Sequence, residues 1–271
     1  MRLCGWPALT ALALLVGGPL LAQDRTAPPS GRDCFGEASS DRILRHEAGG
    51  EILLGSGTRI RLADLRLAEP ERGETGRRLR SWLDTLGGLA VTVRRAGPPD
   101  RWNRVPAALD LVEGRGATLD IAEFLVAEGW AAVDAGERDR LCRPALLAAE
   151  AQARARRIGL WGPAGFPVAA GDPEGLKALD GRFAVVEGRI RSVGERRDRT
   201  YLNFGRDFSR DFAATVPRRL WAAMKRDGIS PEALRGRLVR VRGVVEIRRA
   251  PTLEITAAEM LEWRQAGPAR P

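Results

Sequence analysis

Arg61, Glu69 and Arg104 are the residues of this chain whose types and spacing could act together on a substrate. Arg61 opens Arg61-Leu62-Ala63, and Glu69 follows eight residues after that arginine. Arg104 closes Asp100-Arg101-Trp102-Asn103-Arg104, which precedes the apolar run Ala107-Ala108-Leu109-Asp110-Leu111-Val112. A third segment, Glu150-Ala151-Gln152-Ala153-Arg154, runs into Gly159-Leu160-Trp161. Two arginines and one carboxylate are what cleavage of a phosphodiester needs. The carboxylate takes a proton from water, and the guanidiniums neutralise charge that builds on phosphorus.

Taken in order, the three segments resemble the staphylococcal-type thermonuclease family. There an Arg-Leu-x-x-Ile-Asp-x-Pro-Glu segment, an Asp-Arg-Tyr-Gly-Arg segment and a terminal Gly-Leu-Trp recur. The resemblance implies a five-stranded OB-like barrel with three helices that hydrolyses DNA or RNA phosphodiesters with one bound calcium ion. By position, Arg61 and Arg104 correspond to the two phosphate-binding arginines and Glu69 to the general base. Ungapped spacing selects Glu69, whereas a two-residue insertion would select Glu71 through the Pro70-Glu71 dipeptide.

The calcium positions depart from the family. Its two metal-binding aspartates fall here on Gly50 and Arg66, which supply no carboxylate, while calcium takes several oxygen ligands. The metal set is therefore degenerate, with Glu51 and Asp64 nearby but out of register. Arg66 either contributes cationic charge toward a bound phosphoryl group or is a solvated strand residue. Trp102 either stacks on a substrate base or packs within its turn.

The elements that would position these residues follow from periodicity. Arg42–His46, Glu51–Leu54 and Arg59–Leu65 alternate as strands, with turns at Gly49-Gly50 and Gly55-Ser56-Gly57. Leu79, Trp82, Leu83 and Leu86 fall on one face of a helix over Arg77–Leu86 and mark Trp82 as core. Leu89–Arg95 and Ala107–Val112 are further strands, which leaves Arg101–Arg104 on the loop between them. Helices are expected over Asp120–Glu128 and Pro144–Arg157, the latter capped by Gly159, with Trp161 in the core.

A Gly/Pro-rich stretch from Gly162 to Gly175 then introduces a second unit. Strands are expected over Phe183–Val193, Thr200–Phe204, Phe212–Val216, Arg237–Val245 and Leu253–Ile255. Leu220, Trp221, Met224 and Ile229 mark a short helix between the third and fourth. That is the strand order of a small OB-fold. The fold class expected is α+β, mainly β: a nuclease-like OB barrel over residues 40–162, a linker over 163–177 and a second OB-like barrel over 178–264, ending in a tail over 265–271. Arg189, Arg191, Arg240 and Arg242 give the second unit either a basic face for nucleic acid or an ordinary solvated exterior.

Composition and the N-terminus set the surroundings. The chain of 271 residues carries 44 basic against 35 acidic side chains, a net charge of +9 that favours anionic partners such as DNA or RNA. Met1-Arg2 and the uncharged run Ala8–Leu21 form an export signal over residues 1–22, too short for a comfortable membrane span. A flexible lead-in over 23–39 follows. After cleavage the protein is expected in the periplasm or medium, not inserted in a membrane. Removal of Cys4 with the signal leaves Cys34 and Cys142, expected to form one disulfide in an oxidising compartment. With His46 as the single histidine and no Cys-x-x-Cys, a zinc site is not expected. Two functions fit: an exported phosphodiesterase acting on nucleic acid, or a nuclease-like module without catalysis that binds nucleic acid or a cell-envelope partner.

Overall fold

Short apolar–polar alternations separated by glycine turns fold here as strands, and stretches with a 3.6-residue period fold as helices. The computed structural model describes residues 34–112 and 117–263. The expected export signal, most of the lead-in and the tail lie outside the described residues. The class is α+β, mostly sheet. The first half runs β1 (Ala38–His46), β2 (Ile52–Leu54), β3 (Arg59–Leu62), β4 (Leu65–Leu67), α1 (Gly73–Asp84), β5 (Ala90–Arg95) and β6 (Arg104–Val112). It continues with β7 (Thr118–Asp120), α2 (Ile121–Ala127), β8 (Ala131–Val133) and α3 (Leu146–Arg156).

Six of these strands form a sheet in the order β3-β2-β1-β5-β6-β7, and β3 also pairs in parallel with β6. β4 and β8 form a separate antiparallel pair. The expected strand Arg59–Leu65 is broken because Asp64 turns to φ 62°, so the chain leaves the sheet after Leu62 and re-enters extended geometry at Leu65. Asp64 is buried in that turn, where it accepts from the Arg143 amide (2.7 Å) and pairs with Arg138. α1 starts four residues before the expected helix and buries Leu79 and Leu83, worth about 1.5–3 kcal/mol each. Trp82 does not enter the core. It is half-buried at the surface, stacked on Phe124 with ring centroids 4.9 Å apart and tilted against Trp130. Trp161 is core, as its sequence context implies. α3 ends at Arg157 in left-handed geometry, so Arg157 and not Gly159 is the cap.

The second half runs β9 (Val168–Ala169), α4 (Pro173–Lys177), β10 (Phe183–Arg189), β11 (Ser192–Glu195), β12 (Arg199–Asn203), β13 (Ala213–Pro217) and α5 (Arg218–Arg226). It closes with α6 (Pro231–Leu234), β14 (Leu238–Ile247), β15 (Pro251–Glu254) and β16 (Leu261–Trp263). The order in this sheet is β11-β12-β13-β15-β14-β10-β9, with β16 on β14. The expected single strand Phe183–Val193 is interrupted at Ile190-Arg191. The stretch 163–177 holds β9, paired in parallel with β10, and α4, whose Leu176 is wholly buried.

The apolar core runs from Ile43 in the first sheet to Leu261 in the second without a break. Across it lies a buried ion pair. Arg242 of β14 donates through Nη1 to Glu150 Oε2 of α3 at 2.9 Å and to the Val133 carbonyl at 3.1 Å, and both side chains are 0% exposed. Glu150 Oε2 also accepts from the Val133 amide at 2.7 Å, and Glu262 pairs with Arg242 from β16. Arg242 is thus an internal strut and not part of a basic face. Arg240 pairs with Glu187 at 2.7 Å, which leaves Arg189 and Arg191 as the exposed members of the expected set. Cys34 and Cys142 form the expected disulfide, with Cα atoms 5.4 Å apart.

Candidate functional site

Parallel pairing of β3 with β6 brings the two arginine motifs side by side. Arg59 registers with Arg104 and Arg61 with Pro106. Alternation along β3 buries Ile60 and Leu62 and turns Arg61 to the other side. Arg104 is the first residue of its strand, not a loop residue, and Asp100 fixes it there. Asp100 Oδ1 accepts from the amides of Trp102 and Arg104, both at 3.0 Å, while Asp100 Oδ2 accepts from Arg104 Nε at 2.9 Å. Asn103 takes the left-handed conformation this turn requires, which asparagine tolerates. Arg104 Nη1 then donates to Glu51 Oε1 at 2.8 Å. Burial pulls the Arg104 guanidinium down, but the hydrogen bonds from Asp100 and Glu51 outweigh it and hold the pKa above the usual value.

Arg61, Arg66, Glu69 and Arg104 line one cavity of about 320 Å³, together with Glu51, Arg182 and Phe183. Arg61 is the free cation of the group. Its Nε is buried without a hydrogen-bond partner, and no carboxylate among the described residues lies within ion-pairing distance. Burial first, then the charges of Arg138, Arg104 and Arg66, depress its pKa. An anion entering beside Arg61 would relieve that mutual repulsion.

Glu69 reaches the cavity because α1 presses against the chain just before it. Gly76 lies so close to the Glu69 carbonyl that a Cβ there would collide with backbone. The Glu69 carboxylate is held by Arg72 Nε and Arg182 Nε, each at 2.8 Å. Glu71 points elsewhere and pairs with Arg80, so of the two candidate bases only Glu69 lines the cavity. Arg66 pairs with Asp134 at 2.9 Å and lies over the Phe183 ring, 5.5 Å from its centroid. Trp102 lies outside the cavity lining and is 51% exposed. The guanidiniums of Arg101 and Arg104 lie 3.8 and 4.6 Å from its ring centroid, so a base would have to share or displace them.

The two calcium positions do not fit calcium. Gly50 has φ 83°, and the space a side chain would need is filled by Leu67 Cδ1. Arg66 brings a cation, and Asp64 is turned inward onto Arg138 and Arg143. Among the described residues no three carboxylate, histidine or cysteine side chains converge as a metal ion would require.

Comparison with family models and with curated proteins finds no match to this chain. The cavity must therefore be judged on its own chemistry. Sequence reasoning missed Arg138, Arg182 and Phe183. Arg182 sits just before β10, 113 residues from its partner, with no local pattern to mark it. Among the described residues no helix is long and apolar enough to cross a membrane.

Proposed function

We propose that this chain is an exported, thermonuclease-like phosphodiesterase that acts on DNA or RNA without the calcium ion of the family it resembles. The observation that carries this reading is the convergence of Arg61, Arg104 and Glu69 on one cavity, with Arg61 lacking a carboxylate partner among the described residues. Arg61 and Arg104 hold the scissile phosphate and spread its developing charge. Glu69 takes the proton from an attacking water. Arg66 adds charge at the place where the family has a metal ligand.

The finer fold reading is part of the proposal. The pairings β1–β2, β2–β3, β3–β6, β6–β5 and β5–β1 support a five-stranded OB-like barrel in the first half. In the second half, the parallel pair β13–β15 and the antiparallel pairs β14–β15 and β10–β14 support a second one. Export to an oxidising compartment is supported by the Cys34–Cys142 bond.

One observation favours a second reading, a binding module without catalysis: Glu69 is already ion-paired with Arg182 and Arg72. Degradation of plasmid and RNA by the mature protein, with calcium and with chelator, tests the two. Activity that survives chelation and disappears in Glu69→Gln supports the enzyme. Saturable nucleic-acid binding with no cleavage under either condition supports the module.

A further inference from the structure

A second cationic groove lies on the far half of the chain, at the bend between β10 and β11. It measures about 660 Å³ and is lined by Arg189, Arg191, Arg206 and Arg235 around Phe204 and Phe208. The scaffold is fixed by backbone bonds. Ile190 accepts from the Gly236 amide at 2.7 Å, and the Arg191 amide donates to the Asn203 carbonyl at 2.7 Å. Phe204 is set against Gly188 and packs on Phe212 with centroids 5.1 Å apart, so its ring forms the floor.

The loop that follows Phe204 consumes its own acids. Asp207 accepts from the amide and hydroxyl of Ser209 at 2.9 and 2.6 Å, and Asp211 accepts from the Asp207 amide at 2.9 Å. None of the four arginines then lies within ion-pairing distance of a carboxylate among the described residues. Arg189 donates to the Gly236 carbonyl at 3.1 Å. The same turn lifts Phe208 to its tip, where the ring is 70% exposed. An exposed aromatic amid unneutralised arginines is a poor solvent face, but it matches a ligand that alternates anionic groups with flat rings.

We propose that this groove binds single-stranded nucleic acid, with the four arginines on successive phosphates and Phe208 stacked on a base. Duplex is a weaker fit, because its bases are already stacked and hidden from Phe208. The groove is separate from the Arg61 cavity, and the inference does not rest on cleavage there.

Fluorescence anisotropy of labelled oligo-dT and oligo-U on the full mature chain tests it. Glu69→Gln is included as background so that cleavage cannot interfere. Phe208→Ala should weaken binding by about tenfold, the order expected for loss of one base stack. Arg191→Ala with Arg206→Ala should weaken it further and flatten the salt dependence by roughly 1.4 in logarithmic slope, two phosphates' worth. Phe208→Leu, which keeps an apolar tip without a flat ring, should behave as Phe208→Ala. The dT and U arms cover DNA and RNA, and binding to both is expected. The proposal is overturned if these variants bind as the parent does while Arg61→Met loses binding. It is equally overturned if heparin competes as well as the oligomers and Phe208→Ala has no effect.

Discussion

Arg182, from the loop that leads into the second sheet, donates to the Glu69 carboxylate at 2.8 Å, so a residue of one half occupies the candidate base of the other. The pair is half-exposed, which makes it weak and open to exchange. Arg182→Ala together with Arg72→Ala is expected to raise the rate of nucleic-acid hydrolysis by freeing Glu69. Glu69→Gln should lower it by about 100- to 10,000-fold, the usual worth of a general base. Initial rates on RNA and plasmid decide, and an unchanged rate in both variants would remove Glu69 from the chemistry.

Arg61, without a carboxylate partner among the described residues, makes the first cavity an anion trap. Inorganic phosphate or sulfate should raise the melting temperature of the parent in a concentration-dependent way, since a ligand that binds only the folded state stabilises it. Arg61→Met should abolish that rise. Arg104→Lys should weaken it, because lysine cannot hold Asp100, Glu51 and a ligand oxygen with one planar group.

Replacing one member of the buried Glu150–Arg242 pair should be severe. Arg242→Met leaves the wholly buried Glu150 with only Arg154 Nη1, at 3.4 Å, as a counter-charge and is expected to cost about 3–5 kcal/mol in denaturant unfolding. Glu150→Gln together with Arg242→Met keeps an acceptor for the Val133 amide and should recover most of the loss. If the double variant is as unstable as the sum of the two single ones, the pair is not coupled.

Carboxylates introduced at the family's calcium positions should not create a calcium site. Gly50→Asp meets Leu67 Cδ1 and a left-handed backbone, so with Arg66→Asp it should lower stability without calcium-dependent recovery. Thermal melts with calcium and with chelator check this. A calcium-dependent gain in the double variant would show that Leu67 yields.

The Cys34–Cys142 bond should appear in intact-mass measurement as a gain of two hydrogens on reduction. Loss of the bond through Cys34→Ser is expected to cost about 2–5 kcal/mol. Two thiols alkylated without reductant would contradict it.

Much of the frame was legible because local pattern and burial agree. The period of Leu79 and Leu83 on α1, the alternation in β3 and the Cys34–Cys142 pair each carry their outcome in the residue types themselves. Arg61, Arg104 and Glu69 were legible as a set because each stands in a short motif. The failures were each decided by packing against a distant part of the chain. Arg242 looks like one more exterior arginine in an alternating strand, and only its position opposite α3 makes it internal. Asp64 looks like a possible ligand until its positive φ turns it toward Arg138. Trp82 has core spacing, but it sits at the edge of the helix stripe, where Phe124 and Trp130 share it with solvent.

The distance along the chain between Glu150 and Arg242 also sets an order of events. Glu150 is synthesised 92 residues before Arg242, the nearer of its two arginine partners, so the first sheet cannot take its final packing around α3 until β14 has left the ribosome. Until then Glu150 has only Arg154 of its own helix beside it, and the early chain remains loose. For a chain proposed to be threaded across a membrane, a first half that waits for its last strands is easier to keep unfolded. Nascent chains arrested before and after residue 242 should differ sharply in protease resistance. Equal resistance would mean that the first half closes over Glu150 unaided.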